Sequence, residues 1–311
     1  MSILVCGSIA YDSIMVFHDR FKNHILPDKL HILNVAFLVP EMRREYGGCA
    51  GNIAYNLKLL GAEPQVMATV GEDADPYLAR LDALKINRRH VRRIPGSFTA
   101  QAFITTDLDD NQITAFHPGA MNASHTNQVS EAEGIQFGIV APDGRDGMMQ
   151  HARQFHDAGI PFIFDPGQGL PMFDGEDLTQ FLSLASYCTV NDYEAELMCD
   201  RTGLSLEQLA AKVDALIVTR GGEGSHIYTG GARLEIRAAK PDSLQDPTGC
   251  GDAYRAGLLY GLAQGWGWQK TGQLASVMGA IKIAHRGGQN HTPAREDIAQ
   301  RYEKAFCEKP W

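Results

Sequence analysis

Short unbroken apolar runs alternate along this chain with stretches whose apolar residues recur every three or four positions. The first run, "SILVC" at 2–6, is stopped by Gly7 and has the pattern of a strand buried on both faces. "GCAGNIAYNLKLLGA" at 48–62 follows the helical period: Ile53, Leu57 and Leu60 share one face, and Gly61 stands where a C-cap belongs. "PQVMATVG" then predicts a strand, and "DPYLARLDALKI" a helix with Leu78, Leu81 and Leu84 in line. Strand "IQFGIVA", a helix at 145–158, strands "PFIFDPG" and "YCTVN", helix "DYEAELMCD" and strand "ALIVTRG" continue the alternation. Helices at 250–264, about 269–286 and 293–306 close the chain, the last with Ile298, Tyr302 and Phe306 as its stripe. Strands alternating with helices, most of them apolar on both faces, imply a doubly wound, mostly parallel α/β sheet flanked by helices.

Two stretches interrupt this order. Residues 13–44 show no helical period. Residues 97–118 alternate as a β-hairpin, with Phe98, Ala100, Ala102 and Ile104 on one face, Thr99, Gln101, Phe103 and Thr105 on the other, and "DDNQ" as the turn. The two are expected to pair as a small β-sheet lid over the strand ends. The chain then reads as one domain, 1–311, with its α/β core drawn from 1–12, 45–96 and 119–311.

With 311 residues, 44% hydrophobic and 21% charged, the chain has the composition of a globular protein. A net charge of −9, with no Lys/Arg run longer than two, excludes a phosphate-backbone binder. The six cysteines are scattered without a CxxC pair, so neither a disulfide frame nor a zinc site is expected. "MSILVCGSIAYD" lacks the basic and long apolar segments of a signal peptide, and no apolar run reaches the ~18 residues of a membrane span. The expected compartment is the cytoplasm.

Candidate chemistry concentrates at glycine-rich junctions. In "DPTGCGD", 246–252, Gly249, Cys250 and Gly251 fall at the start of an apolar helix, where free N–H groups and the dipole suit an anion. Asp252 inside that turn reads either as a general base or as an acid that favours the helix dipole. "TRGGEG", 219–224, is either a phosphate loop or a chain reversal; there is no Walker A loop and no GxGxxG after the first strand. In "NDYE", 191–194, Asn191 and Glu194 would suit a hydrated Mg²⁺ or simply begin a helix. In "YGGCAGN", 46–52, with Asp12 at the end of the first strand, Gly48, Asn52 and Asp12 could bond sugar hydroxyls, or the glycines could merely lead into a helix. Gln168 in "DPGQGLP" is a base-edge contact or part of a strand-end turn. Phe37, Leu38, Phe98, Phe103 and Phe116, with Met121, would face a purine or pack the lid itself. Among eleven scattered histidines, His117 at the base of the hairpin is the one nearest a candidate site.

In this order, "GSIAYD", "YGGCAGN", "NDYE", "TRGGEG" and "DPTGCGD" span nearly the whole chain and resemble the ribokinase-like (PfkB) carbohydrate kinase family. The longer stretches "LVPEMRREYGGCAGNIAYNLKLLGA", "FDPGQGLP" and "DPTGCGDAYRAGLLYGL" are most similar to its bacterial adenosine and nucleoside kinases. The resemblance implies the ribokinase-like fold with a β lid. It implies Asp252 as catalytic base and Gly249, Cys250 and Gly251 as the anion hole, with Cys250 where the family often has Ala. It places Asn191 and Glu194 at the Mg²⁺–phosphate region, Thr219, Gly221 and Gly224 in the ATP site, and Asp12, Gly48 and Asn52 on the ribose. A monovalent cation such as K⁺ also belongs to the family's features, with Asp246 and Thr248 contributing and further ligands expected from about 282–290. A homodimer through the lid is left open. The implied reaction is ATP-dependent phosphorylation of the 5′-hydroxyl of adenosine, with inosine, guanosine and cytidine as further acceptors. A ribokinase or fructokinase of the same fold and a non-catalytic nucleoside-binding regulator are the alternatives.

Overall fold

The computed structural model describes residues 2–25, 34–109 and 111–311. Nine strands form one sheet: β1 (Ser2–Cys6), β4 (Glu63–Val70), β5 (Asn87–Arg93), β8 (Ile135–Val140), β9 (Phe162–Phe164), β10 (Tyr187–Asn191), β11 (Ala215–Thr219), β12 (Ser225–Thr229) and β13 (Ala232–Ile236). Their order is β13-β12-β11-β10-β9-β8-β1-β4-β5. Every neighbouring pair is parallel except β11–β12 and β12–β13.

The apolar runs have the cause the sequence suggests. In β1, Ile3 and Val5 enter one buried cluster and Leu4 and Cys6 the other, so both faces are covered. One cluster lies under α1 (Cys49–Leu59), α2 (Asp75–Ala83), α7 (Cys250–Ala263), α8 (Trp268–Ile283) and α9 (Arg295–Phe306). The other lies under α3 (Arg145–Asp157), α4 (Gly175–Leu184), α5 (Asp192–Thr202) and the short α6 (Leu206–Ala210). Gly61, at φ +83°, closes α1 as expected, its N–H reaching Lys58 O at 3.0 Å while Ala62 N–H reaches Leu57 O at 3.0 Å.

The antiparallel β12–β13 end, edge strand β5 and helix α4 had no expected counterpart. β5 reads "NRRHVRR" and lacks an apolar run because it pairs on one side only. The β12–β13 hairpin turns at Gly230 and Gly231, both at positive φ.

A separate sheet of four strands, order β3-β2-β6-β7, joins β2 (Ala10–Val16), β3 (Glu41–Gly47), β6 (Ala100–Thr106) and β7 (Gln112–His117). The two interrupting stretches therefore pair directly, β2 lying parallel to β6. The first runs from Ala10, not 13, and ends at Gly47, not 44. Asp12 thus belongs to the lid rather than to the end of β1. Residues 26–33 of that stretch, and Asp110 of the expected turn, lie outside the described residues. At the other end of that turn, Asp107 Oδ1 accepts from the N–H groups of Asp109 and Asn111, both at 2.9 Å.

Candidate active site

The apolar face of α7 anchors its polar first turn to the core. Gly249, at φ +77°, sits in the left-handed region before the helix, and a Cβ there would stand 3.2 Å from Gly288 Cα. The Cys250 N–H is drawn to Pro247 O at 3.1 Å. Gly251 and Asp252 complete a turn whose N–H groups lack helical carbonyl partners.

Asp252 is partly buried and its Oδ2 accepts from Asn52 Nδ2 at 2.8 Å. Burial raises its pKa to about 6, against the Asn52 hydrogen bond and the Arg255 charge, which lower it. Asn52 is itself buried on α1, and its Oδ1 accepts from Gln289 Nε2 at 3.1 Å. Gln289 Nε2 also donates to Tyr77 Oη (2.7 Å), and Tyr77 Oη donates to Gly47 O (2.7 Å). Arg80 fixes Gln289 from behind, donating to its Oε1 at 3.2 Å and to its carbonyl at 2.7 Å. One hydrogen-bonded chain therefore runs from Asp252 to the junction of lid and core.

Asp12 stands at that junction, where a Cβ on Gly47 would lie 2.5 Å from its Oδ2. Burial raises the Asp12 pKa to about 6, and the charges of Asp252, Asp246 and Glu45 add to the rise. Asp12 and Asp252 therefore feel each other, one from the lid and one from the core. Gly48, at φ +82°, has no room for a side chain, since a Cβ would stand 2.5 Å from Ala10 N.

One turn beyond Asp252, Arg255 forms a buried bidentate pair with Asp165, Nε–Oδ2 2.8 Å and Nη2–Oδ1 2.9 Å. Asp165 follows β9 directly, and its charge and that of Arg255 both reach Glu194. Glu194 and Asn191 make a capping box at the start of α5: Asn191 Oδ1 accepts from Glu194 N–H at 2.7 Å, and Glu194 Oε2 from Asn191 N–H at 2.8 Å. The helix-start reading of "NDYE" is thus real. Burial and the Asp165 charge raise the Glu194 pKa. Among the described residues no cluster of three or more His, Cys, Asp or Glu side chains is placed to hold a metal. A single carboxylate at this position fits a Mg²⁺ that keeps its waters and arrives on phosphate oxygens.

"TRGGEG" reverses the chain between β11 and β12, with Arg220 N–H on Gly224 O at 2.8 Å. Gly224 is required there, because a Cβ would stand 2.0 Å from Ile236 O; Gly221 is at φ +53°. Thr219 Oγ1 donates to Val190 O at 3.3 Å. Asp246 Oδ1 accepts from Thr248 N–H at 2.9 Å and its Oδ2 from Gly287 N–H at 2.8 Å, so its carboxylate braces the turn before α7. Gln168 and His117 are exposed. The aromatic set divides. Phe37 packs on Phe17 and Phe21, with ring centroids 4.8 and 5.0 Å apart, whereas Phe98, Phe103, Phe116 and Leu38 are exposed. Phe98 lies ahead of β6 and does not share the buried face of Ala100 and Ala102, while Thr99 is buried and its Oγ1 accepts from Gly71 N–H at 3.0 Å.

The sequence reading missed Tyr77, Arg80, Asp165, Arg255, Lys282 and Gln289. Arg255 and Lys282 did carry a signal, each being a lone cation in an apolar helical run.

A partly buried carboxylate in the first turn of a helix, within reach of the charge of a second carboxylate on the small sheet, fits a small-molecule phosphotransferase with an alcohol group as acceptor. The chain belongs to the pfkB family carbohydrate kinases, whose model matches residues 8–295. It is 31% identical over 277 residues to a nucleoside kinase of Methanocaldococcus jannaschii, covering 87% of this chain and 90% of that one. It is also similar to the Burkholderia thailandensis nucleoside kinase in complex with inosine, with TM-score 0.90, 55% identity and 99% of each chain covered. The same enzyme in complex with ADP-inosine matches with TM-score 0.88 and 56% identity over 99% of this chain and 97% of that one. The ribokinase-like fold with its separate small sheet is thus established. Among the described residues, no helix is long and apolar enough to cross a membrane.

Proposed function

We propose that this protein transfers the γ-phosphoryl group of ATP to the 5′-hydroxyl of a nucleoside, with adenosine and inosine as acceptors. The observation that carries the reading is Asp252, held by Asn52 at the first turn of α7 and opposite Asp12. Asp12, with the backbone around Gly48, holds the ribose hydroxyls. Asp252 accepts the 5′-hydroxyl proton as that oxygen attacks in line. The N–H groups at the start of α7 stabilise charge on the transferring group. Thr219, Gly221 and Gly224 line the nucleotide side, and Glu194 faces its phosphates. Mg²⁺, when bound with ATP, neutralises the phosphate oxygens. Exposed Phe98, Phe103 and Phe116 on the lid side offer apolar surface to a base, and Gln168 a polar edge. The inosine complexes of the Burkholderia thailandensis enzyme support a purine nucleoside as acceptor.

A panel of nucleosides and free sugars with ATP and Mg²⁺, followed by ADP release, tests the reading. Release with adenosine and inosine supports it. Release with ribose or fructose alone makes the protein a sugar kinase, and absence of release with every acceptor leaves a binding protein.

A further inference from the structure

Lys282 lies on α8 with no exposed surface. Its Nζ donates to the backbone carbonyl of Asp246 at 2.8 Å and to that of His285 at 2.9 Å. These carbonyls fall within the two segments from which the ligands of a monovalent cation were expected. The Asp246 carboxylate is committed to the N–H groups of Thr248 and Gly287. The N–H groups of Gln245 and Asp246 both bond Ile283 O, at 2.9 and 3.2 Å, which brings the two segments together around the ammonium. A free cation does not fit this donor set. Its carbonyl oxygens are already engaged, and a second positive charge beside the buried Nζ would be repelled.

We infer that the Lys282 ammonium is a built-in substitute for a monovalent cation, which makes this chain independent of K⁺. Carbonyl oxygens that would replace the hydration shell of K⁺ instead accept from a tethered –NH₃⁺ of similar size. The lysine stem passes under the turn that starts α7, its Cε 3.7 Å from where a Cβ on Gly249 would stand. Lys282 therefore acts as a positioning residue: it ties the turn before α7 to the end of α8 and sets a fixed positive charge beside the first turn. Burial lowers its pKa, and the nearby Asp246 and Asp252 oppose that fall.

The test compares KCl with choline chloride at equal ionic strength, using protein freed of K⁺ and NH₄⁺. Its activity arm rests on the kinase reading, whereas its melting arm does not, so failure of the one is distinguishable from failure of the other. In the wild type, turnover should stay within about twofold and the melting temperature within about 1 °C as K⁺ replaces choline. Lys282→Met should lose at least about tenfold in turnover in choline through misplacement of the α7 turn. K⁺ or NH₄⁺, but not choline, should restore part of that loss and raise the melting temperature of the variant. Rescue of this kind would not be seen for a lysine that merely fills space. Strong activation or stabilisation of the wild type by K⁺ would overturn the inference, and so would a Lys282→Met protein indifferent to every cation. Should Lys282→Met fail to fold, the wild-type cation series decides alone.

Discussion

Asn52 and Asp252, 200 residues apart in sequence, meet at 2.8 Å, amide nitrogen to carboxylate oxygen. The hydrogen bond favours the ionised form of Asp252 against burial, which pushes the other way. Asn52→Leu should therefore raise the pKa of the base. In the wild type the acid limb of kcat/KM should lie near pH 6, as a property of Asp12 and Asp252 together. In Asn52→Leu that limb should move up by about one to two pH units, the worth of one hydrogen bond to a charged group, and turnover at pH 7 should drop by about twofold to tenfold. A pH–rate profile checks this, and an unmoved limb would mean that Asn52 does not tune the base.

Asp252→Asn keeps the size of the side chain and removes its basicity. Turnover should fall by roughly 10²–10⁴, the usual contribution of a positioned base. Calorimetric affinity for the nucleoside should change little, because Asp12 and the Gly48 backbone are untouched. Near-normal turnover would remove Asp252 from the role given to it.

Arg255→Met strands the Asp165 carboxylate in a buried site where both oxygens now accept from the guanidinium. Loss of about 3–5 kcal/mol of stability is expected, read from urea unfolding. Adding Asp165→Asn should recover much of the loss, since the uncompensated charge is the main penalty.

Asp143 is 2% exposed; its Oδ1 accepts from Gly144 N–H at 2.9 Å, and its Oδ2 has no hydrogen-bond partner among the described residues. Burial raises its pKa to about 8 from an ordinary value of 3.8. The folded state thus holds this proton more tightly than the unfolded chain. The stability it confers is complete below about pH 4 and is lost as pH rises through about 8. Asp143→Asn removes that dependence, so its melting temperature should exceed that of the wild type by a few degrees at pH 8–9 but not at pH 5. Equal differences at both pH values would show that Asp143 is not protonated in the folded protein.

The parallel core was legible because both faces of β1 and β8–β11 are covered, which forces apolar residues into consecutive positions. The step from β1 to β2 was not, because only three residues, Gly7, Ser8 and Ile9, all buried, separate strands of two different sheets. Asp12 was consequently placed on the wrong sheet. Asp252 could be singled out because its chemistry follows from position, a carboxylate in the first turn of a buried helix. Gln289, Tyr77 and Arg80 could not, because their part depends on partners brought close only by the fold, as Gln289 is to Asn52 and Tyr77. Lys282 and Arg255 lay between these cases: the sequence showed a cation in apolar company but not which oxygens would meet it.

The two buried cations nearest the candidate base, Arg255 and Lys282, already spend their hydrogen bonds on protein oxygens. The charges of Asp12, Asp246, Asp252 and Glu194 act on this region, and Asp165 is offset by Arg255, so on the proposed reading the nucleotide cleft would carry net negative charge. A bare polyphosphate entering it would meet like charge with little to offset it beyond the backbone dipoles of α7. On the proposed reading, countercharge would have to come in with the donor. Such a site would favour a nucleotide carrying its divalent ion over the same nucleotide without it, because Arg255 and Lys282 are already tied down by protein oxygens.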